Sequence, residues 1–251
     1  MPNSAFSCSI LSSSNAINGT KNTLSSKSYN MLLNGTKNAS EGQNTNVLVN
    51  GNNNKVKFGV ENAAILSGNG ATALRTGEVI IGGSQDDGLN DSSNNLTQFI
   101  TQTSTFHLTG VSNATIQYLT LSGRDGVYGI PMHHNSIGYI KGTAIGIAEN
   151  NQGKYISEFT CTVSCNNSGV TDLQNFNNTE KVNTIGNNAV LLGVDGTYAE
   201  STTGNNGVYD TNQIYLIGGE ALFGGTKKIA YSISINLVEQ IHDLNTNITT
   251  H

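Results

Sequence analysis

Three aspartates that stand close together, Asp86, Asp87 and Asp91, come nearest to a catalytic arrangement in type and spacing. Two carboxyl groups on either side of a glycosidic bond can cleave it, one as an acid and the other as a base or nucleophile. The three lie in the segment GSQDDGLNDSSNN, where turn chemistry alone favours Asp. Asp125 follows Arg124, which indicates a surface ion pair. Glycan cleavage by these acids is therefore an alternative hypothesis and not our main one.

The doublet His133-His134 is the strongest candidate for a metal ligand. Imidazole is a common ligand, and one His from each of three chains could bind a metal on a trimer axis. Adjacent strand residues point to opposite faces, so at most one of the two could face that axis. Pro131 favours a loop, while His107 and His242 stand alone in strand-like sequence. We therefore predict no metal site and no cofactor, and, without a GxSxG motif, no catalytic residue.

Tyrosines are the most interesting surface candidates in the C-terminal part, because exposed Tyr is common at sugar and protein contacts. Tyr128 and Tyr209 are flanked by Gly and Asp, which favours exposed loops. Several tyrosines within strand-like runs are expected in the core, so no receptor-binding site is assigned. The six scattered tyrosines are Tyr118, Tyr128, Tyr139, Tyr198, Tyr209 and Tyr215.

The three cysteines give no disulfide framework. Cys161 and Cys165 in TCTVSC would lie on one face of a strand. At about 3.3 Å per residue they are about 13 Å apart, too far for a bond in a straight strand. We predict that both are buried free thiols and that Cys8 is a small filler in a first, partial coil.

Composition limits the fold and the partners. The chain has 251 residues, a net charge of −5, only 12% charged residues and 29 Gly. Scarce Lys and Glu argue against long helices, whereas Gly, Asn and Thr with scattered Val and Ile are typical of strands and tight turns. The predicted fold class is all-β. The mild acidity disfavours nucleic acid, no apolar run approaches the roughly 20 residues that span a bilayer, and the segment MPNSAFSCSILSSS shows no signal-peptide pattern.

A 16-residue repeat runs through residues 15–83 and predicts a β-roll or β-helix over residues 1–83. A few apolar residues form each short strand, and Asn and Gly then turn the chain because both tolerate positive φ. We predict a buried aliphatic stack, a column of turn glycines and ladders of stacked Asn. The columns are Ile17, Leu33, Val49, Ile65 and Ile81; Gly19, Gly35, Gly51 and Gly83, with Ser67 in the fourth coil; Asn22, Asn38 and Asn54; and Asn30, Asn46 and Asn62.

The thin core of each coil predicts a homotrimer. About three apolar side chains per coil contribute roughly 1.5–3 kcal/mol apiece when buried. Ordering each backbone residue costs roughly 1–2 kcal/mol. Hydrogen bonds between coils help, but three chains around a common axis would bury the remaining apolar edge. A monomeric β-helix is the alternative, although such a helix usually has a wider coil and more apolar residues per turn.

After the repeat, the short periodic units give way to a polar segment and then to longer runs of alternating apolar and polar residues. Residues 84–96 are predicted to be a polar linker, and residues 97–251 a β-sandwich or jelly-roll-like domain that acts as a head or trimer clamp. Its longer runs alternate between apolar and polar residues and are separated by Gly, Asn and Asp, as antiparallel strands are. The runs are 114–123, 135–150, 154–165, 188–194, 212–219 and 227–241.

Both halves carry a family resemblance. The units NMLLNG, NVLVNG and NAAILSG resemble the SVAIG-like head repeats of trimeric autotransporter adhesins. The segments NSIGYIKGTAIGIAEN and LIGGEALFGGTKKIAYSISINLVEQI resemble a β-domain that often follows such repeats in phage structural proteins. Together the halves resemble trimeric fibre and spike proteins of tailed phages and other large viruses.

The resemblance implies a structural fibre or spike, displayed on a phage or virus particle for attachment to the host surface. Three copies would convert weak contacts with a glycan or protein receptor into avidity. Expected partners are further copies of the chain, other virion proteins and that receptor, and we expect no enzymatic activity. Two alternatives stay open: a head fragment of a bacterial trimeric adhesin, and a tailspike that depolymerises polysaccharide.

Overall fold

The computed structural model describes residues 7–8, 14–90, 96–113, 117–122, 129–185, 190–195, 213–220 and 228–243. They belong to two compact units: unit 1 is Met1–Ser104 with Val238–His251, and unit 2 is Thr105–Leu237. Apart from one 3-10 turn at Glu149–Asn151, the regular structure of the described residues is β, so the predicted all-β class is confirmed. None of the described residues forms a helix long and apolar enough to cross a membrane.

Unit 1 contains the predicted solenoid. Its strands stack in two parallel ladders, so each coil places one short and one longer strand above the equivalents in the coil before it. The short strands are β1 (Ser7–Cys8), β3 (Thr23–Leu24), β5 (Ala39–Ser40), β7 (Lys55–Val56) and β9 (Thr72–Ala73). The longer strands are β2 (Ala16–Thr20), β4 (Tyr29–Thr36), β6 (Thr45–Asn52), β8 (Ala64–Asn69) and β10 (Val79–Asn90).

The register between coils follows the 16-residue repeat at first and then shifts. Gly51 pairs with Gly68, one residue later than the repeat predicts, and Ala64 pairs with Val79, one residue earlier. A coil lengthened by one residue is thus followed by a shortened one. Ser67, which the repeat assigns to the glycine column, is displaced from the position opposite Gly51.

The aliphatic stack forms as predicted, with a correction at its last member. Ile65 pairs with Ile80 and not with Ile81, which is 61% exposed. The prediction for Ile81 was wrong because the shifted register puts its neighbour in the inward position, and adjacent strand residues point to opposite faces. The members of the stack are Ile17, Leu33, Val49, Ile65 and Ile80.

Glycine is required where successive coils approach most closely. Gly35 has a φ of 111°, in the region that L side chains rarely adopt. A Cβ atom at Gly35 would collide with the carbonyl oxygen of Gly51, and one at Gly19 would collide with that of Gly35. The glycine column therefore sets the distance between coils as well as the turn.

A ladder of buried amides ties the coils together. The Asn38 side chain is fully buried, and its Nδ2 donates to the carbonyls of Asn34 and Gly51, both at 2.9 Å. Its Oδ1 accepts from the backbone N–H and the Nδ2 of Asn54, both at 3.1 Å. The predicted column of Asn22, Asn38 and Asn54 is therefore a ladder, and it lies inside the solenoid.

A glutamine side chain completes the last short strand. Gln102 lies on β11 (Leu96–Asn113) and is buried. Its Oε1 accepts from the backbone N–H of Thr72 at 2.9 Å, and its Nε2 donates to the carbonyl of Thr72 at 3.1 Å. Since β9 is the last strand of its ladder, Gln102 supplies the hydrogen bonds that another coil would otherwise provide.

A buried ion cluster also belongs to unit 1. Arg75 Nη1 lies 2.7 Å from Glu78 Oε1, and Arg75 Nη2 lies 3.2 Å from Oε2 of Glu239, which is on β20 (Lys228–Asp243). Burial on its own raises the pKa of Glu78, but Arg75 and the backbone N–H groups of Leu74 and Arg75 outweigh it and hold that pKa below its ordinary value. Burial likewise opposes the charge on Arg75, yet the two glutamates raise the pKa of Arg75.

Unit 2 is built from antiparallel strands, as the alternating runs predict. Strands β15 and β16 form a central hairpin and pair over most of their length. Strand β17 pairs with the other edge of β16, and β20 lies on the other side of β15. Phe159 and Tyr155 of β16 fill the core beneath this sheet. The strands are β12 (Gln117–Tyr118), β13 (Thr120–Leu121), β14 (Ile130–Pro131), β15 (Ser136–Ala148), β16 (Lys154–Cys165), β17 (Thr171–Asn183), β18 (Val190–Asp195) and β19 (Gln213–Glu220).

Residues 84–90, within the predicted linker, continue strand β10. The division of the chain into a solenoid at residues 1–83, a linker at 84–96 and a head or clamp domain at 97–251 stays a prediction.

Replacing Asn38 by Ala should lower the free energy of unfolding by roughly 3 kcal/mol or more. The substitution leaves at least two buried partners without a hydrogen bond, at about 1–3 kcal/mol each. Urea denaturation is the measurement. Asn18→Ala, which removes an exposed side-chain hydrogen bond to Asn34, is the matched control and should cost about 1 kcal/mol. Equal costs for the two variants would contradict the role of the buried ladder.

Replacing Glu78 by Gln should lower the free energy of unfolding at pH 7 by about 3–5 kcal/mol, as expected when a buried ion pair loses one partner. Because its folded pKa lies below the ordinary value near 4.3, Glu78 stabilises the native state fully above that value, and this contribution disappears as the pH falls through the folded pKa. Stability of the variant should therefore change less than that of the wild type as the pH falls below about 4.

The control for this variant is Glu41→Gln, which removes an exposed ion pair with Lys57 at 3.0 Å. Exposed pairs contribute about 1 kcal/mol or less. Chemical denaturation across the pH range compares the three proteins, and parallel curves for wild type and Glu78→Gln would show that the buried cluster does not control acid stability.

Candidate functional site

The outer side of the longer ladder in the solenoid carries the most regular polar surface in the described residues. Along β4, Met31 and Leu33 point into the core, so Asn30, Leu32 and Asn34 point outward. The same alternation in the neighbouring coils repeats the pattern. We call this surface the amide face: two outer rows, Asn18, Asn34 and Asn50, and Asn30, Asn46 and Asn62, with Ala16, Leu32, Leu48 and Ala64 between them.

Both outer rows are hydrogen-bonded ladders. In one, Asn30 Nδ2 donates to Asn46 Oδ1 at 3.0 Å, and Asn46 Nδ2 donates to Asn62 Oδ1 at 2.9 Å. In the other, Asn34 Nδ2 donates to Asn50 Oδ1 at 2.7 Å. An amide carries two N–H donors and two acceptor lone pairs. Each ladder member therefore keeps a donor and an acceptor for a further partner, while the ladder fixes its orientation.

A third row adds an aromatic ring and a carboxylate beside the ladder. Tyr29 pairs with Thr45, and Thr45 forms a bridge with Glu61 in the next coil. Tyr29 is 40% exposed, and Glu61 is half-buried. The sequence interpretation did not single out Glu61. Its signal was the repeat itself, because Tyr29, Thr45 and Glu61 each directly precede a member of the Asn30, Asn46 and Asn62 row.

This arrangement offers binding groups suited to sugars. Amides recognise hydroxyl groups as both donors and acceptors, and Tyr combines an apolar ring with a polar hydroxyl. The two ladders and the row between them contain no charged residue, and Glu61 is the acid of the third row. Glycoside hydrolysis normally takes two carboxyl groups within about 10 Å of each other. Hydrolysis by Glu61 would therefore need a second carboxyl group within that distance.

The aspartates predicted from the sequence do not add to this surface in the described part of the chain. Asp86 and Asp87 lie in β10, where the backbone but not the side chains is described. Asp91 and the pair Arg124 and Asp125 lie outside the described residues.

The histidines are dispersed. His133 is 7% exposed, and its carbonyl accepts a hydrogen bond from Ser136 Oγ at 2.6 Å, whereas His134 and His107 are exposed. His242 stacks on Phe99, with ring centroids 4.7 Å apart. Within the described ranges, no three His, Cys, Asp or Glu residues gather as a metal site would require. Pro131, taken as a sign of a loop, lies in the short strand β14.

Tyrosines and cysteines of unit 2 give mixed outcomes. Tyr139 lies in a strand run yet is 49% exposed, so strand position alone did not predict its burial. Cys161 and Cys165 are buried free thiols, as predicted, and burial raises the pKa of Cys161 to about 11. Side chains of Tyr118 and Tyr215 are not described. The predicted loop tyrosines, Tyr128 and Tyr209, lie outside the described residues, as does Tyr198.

No protein-family model and no curated protein matches the chain. Solved structures of three phage tailspikes do match, at TM-scores of 0.25, 0.24 and 0.24. They are gp49 of Acinetobacter baumannii bacteriophage Fri1, a capsular polysaccharide depolymerase, and the tailspikes of A. baumannii phage AM24 and Acinetobacter phage vB_ApiP_P1. Sequence identities are 9%, 9% and 7%, over 86%, 95% and 90% of this chain. The chain spans 39%, 52% and 49% of theirs.

The predicted location on a virion surface agrees with these neighbours. They contradict our prediction that the chain is not an enzyme, because the Fri1 protein is a depolymerase. That prediction rested on missing motifs and is withdrawn. At these TM-scores and identities, the likeness assigns no activity to this chain.

Proposed function

We propose that the chain is part of a trimeric spike on the surface of a phage particle, and that its amide face binds a host-surface polysaccharide. The observation that carries this proposal is the pair of outward-facing Asn ladders on either side of an apolar row. The three solved structures to which the chain is similar are phage tailspikes, which is consistent with this setting.

The amide face suits a polysaccharide in both its repeat distance and its chemistry. Successive coils repeat at about 4.8 Å, so the face presents identical groups in a line, as a polysaccharide does. The apolar row can pack against the C–H faces of sugar rings, while the amides on both sides meet their hydroxyl groups. Because the ladders hold the amides in place, little side-chain entropy is lost on binding.

Cleavage of the bound polysaccharide is the second candidate, favoured by the position of Glu61 beside the ladder. Glu61 would act as one carboxyl group of a hydrolytic pair. Asp86, Asp87 and Asp91 are the candidates from the sequence for the other. A capsular polysaccharide is the substrate class that the Fri1 depolymerase suggests.

Replacing Asn34 by Ala should weaken polysaccharide binding roughly 3- to 10-fold, because the variant loses amide contacts worth about 0.5–1.5 kcal/mol. Titration calorimetry with purified A. baumannii capsular polysaccharide, and with a panel of other capsules, is the measurement. Asn236→Ala is the matched control: it too removes an exposed side-chain hydrogen bond, to Thr105 at 2.9 Å, but on β20.

The aromatic ring gives an independent comparison. Tyr29→Ala should weaken binding, whereas Phe58→Ala, which removes a 62% exposed ring from the turn after β7, should leave it unchanged. Binding that survives both Asn34→Ala and Tyr29→Ala at wild-type strength would reject the amide face as the polysaccharide site.

Cleavage is tested separately by the release of oligosaccharides from the same capsules. If the second candidate is right, Glu61→Gln should abolish release and retain binding, and one of Asp86→Asn, Asp87→Asn or Asp91→Asn should do the same. Release that persists in all four variants would exclude these carboxyl groups as the catalytic pair.

The trimer is tested by light scattering of the purified protein. We expect a mass three times that of the 26.4-kDa chain, because the apolar surface left exposed on each copy would be covered by its neighbours. A stable monomer at micromolar concentration would contradict the trimer without affecting the proposal for polysaccharide binding.

A further inference from the structure

The outward face of the sheet β15–β16–β17 in unit 2 carries a cluster of large apolar side chains among polar ones. Antiparallel sheets with one wet face usually alternate between buried apolar and exposed polar residues. Strand β15 alternates in burial, yet four of its outward side chains are large and apolar. They are Ile137, Tyr139, Ile145 and Ile147, with exposures of 59%, 49%, 47% and 49%.

Strand register gathers several of these side chains into one patch. Ile145 lies opposite Ile156 of β16, and Ile156 lies opposite Val182 of β17, which is 37% exposed. Ile147 is two residues beyond Ile145 on the same face. We call Ile145, Ile147, Ile156 and Val182 the isoleucine patch. Contiguous exposed apolar surface of this kind marks an interaction site rather than a solvated face.

The edge of the sheet is protected against pairing, so the face is the surface that remains. Strand β17 is the last strand of the sheet order, and two irregularities interrupt its register with β16. Its exposed side chains include Asp172, Glu180 and Lys181. Register irregularities and charged residues are the devices by which proteins prevent edge-to-edge pairing.

Charges beside the patch favour a second copy of the same chain. Lys141 is exposed and forms no ion pair with any described residue, while Glu158 is half-exposed and pairs with Lys181 at 3.3 Å. Lys141 and Glu158 lie on the outward face between Tyr139 and the patch. The register also places the exposed Lys154 and Asp172 on this face, opposite Ile147 and Ser164. The face thus carries charges of both signs, which a second copy can match.

The dimensions of the face are also those of a protein interface. Three strands of about 12 residues, at about 3.4 Å per residue and 4.8 Å per strand, cover roughly 600 Å². Two such faces together would bury roughly 1,200 Å², the lower end of the range for specific interfaces. A copy that used the patch alone would bury too little, so the contact should extend from the patch to Tyr139.

We propose that the outward face of β15–β16–β17 docks on a second copy of this chain, with the isoleucine patch at the centre of the contact. The inference rests on the multi-copy assembly of the proposed function and names the surface that forms it. It is independent of polysaccharide binding by the amide face.

The test measures the mass of Ile145→Asp and Ile147→Asp variants by light scattering over a dilution series. Each variant places a charge in the contact without touching the core, and each should weaken association at least tenfold. Val111→Asp is the matched control, since Val111 is a 54% exposed β-branched residue on β11. It should associate like the wild type. Circular dichroism melting curves verify that all three variants are folded.

A second measurement does not depend on a variant. Hydroxyl-radical footprinting of the wild type should show Tyr139 protected at high concentration and reactive after dilution, while the reactivity of Tyr29, beside the amide face, should not change. Patch variants that keep the wild-type mass, or a Tyr139 that reacts equally at all concentrations, would overturn the inference. A monomeric wild type would overturn it together with the trimer. Variants that remain assembled but lose polysaccharide binding would show that the face binds the ligand instead.

Discussion

The solenoid depends on the buried amides of Asn22, Asn38 and Asn54. At the turns of a narrow coil, backbone groups are buried without a strand to pair with, and leaving them unpaired would cost about 1–3 kcal/mol each. Each Asn side chain donates to one carbonyl of its own coil and one of the next coil. It also accepts a hydrogen bond from a backbone N–H of that next coil. The ladder also continues across the shift in register. In the lengthened coil, Asn54 Nδ2 donates to the carbonyl of Gly68, and Asn54 Oδ1 accepts from the N–H of Ala71. Polar side chains thus hold a structure whose apolar core is thin.

Asn has a second role on the outer surface of the solenoid. In the rows Asn30–Asn46–Asn62 and Asn18–Asn34–Asn50, the amides bind one another but retain donors and acceptors toward solvent. This division between internal and external ladders explains why Asn recurs through the repeat of a chain that is poor in charge. Inside, an amide satisfies two partners without the desolvation cost of a charge. Outside, it presents hydrogen-bonding groups to solvent without adding charge.

Periodicity made the solenoid predictable, and features outside the period were not. The columns of Leu33, Val49 and Ile65 and of Asn22, Asn38 and Asn54 could be read from spacing, because one coil repeats the physics of the next. The exchange of Ile81 for Ile80 depends on a one-residue register shift at Gly68, which the repeat does not encode.

Contacts between distant parts of the sequence, such as Arg75 with Glu239 and Thr72 with Gln102, carried no local signal. The exposure of Tyr139 was similarly undetermined, since an alternating strand shows its two faces but not which one meets the core. The withdrawn prediction about enzymatic activity had another origin: it rested on missing motifs, and a missing motif carries no conclusion about chemistry.

The side-chain cap formed by Gln102 on Thr72 has a consequence for how such a chain can change in evolution. The cap contacts only the last short strand, and the first three coils, which pair at a constant 16-residue register, are interchangeable in their backbone contacts. Duplication or loss of a whole 16-residue unit upstream leaves the cap and the buried cluster of Arg75, Glu78 and Glu239 in place. The length of the amide face is therefore free to vary by single coils while the closing structure stays the same.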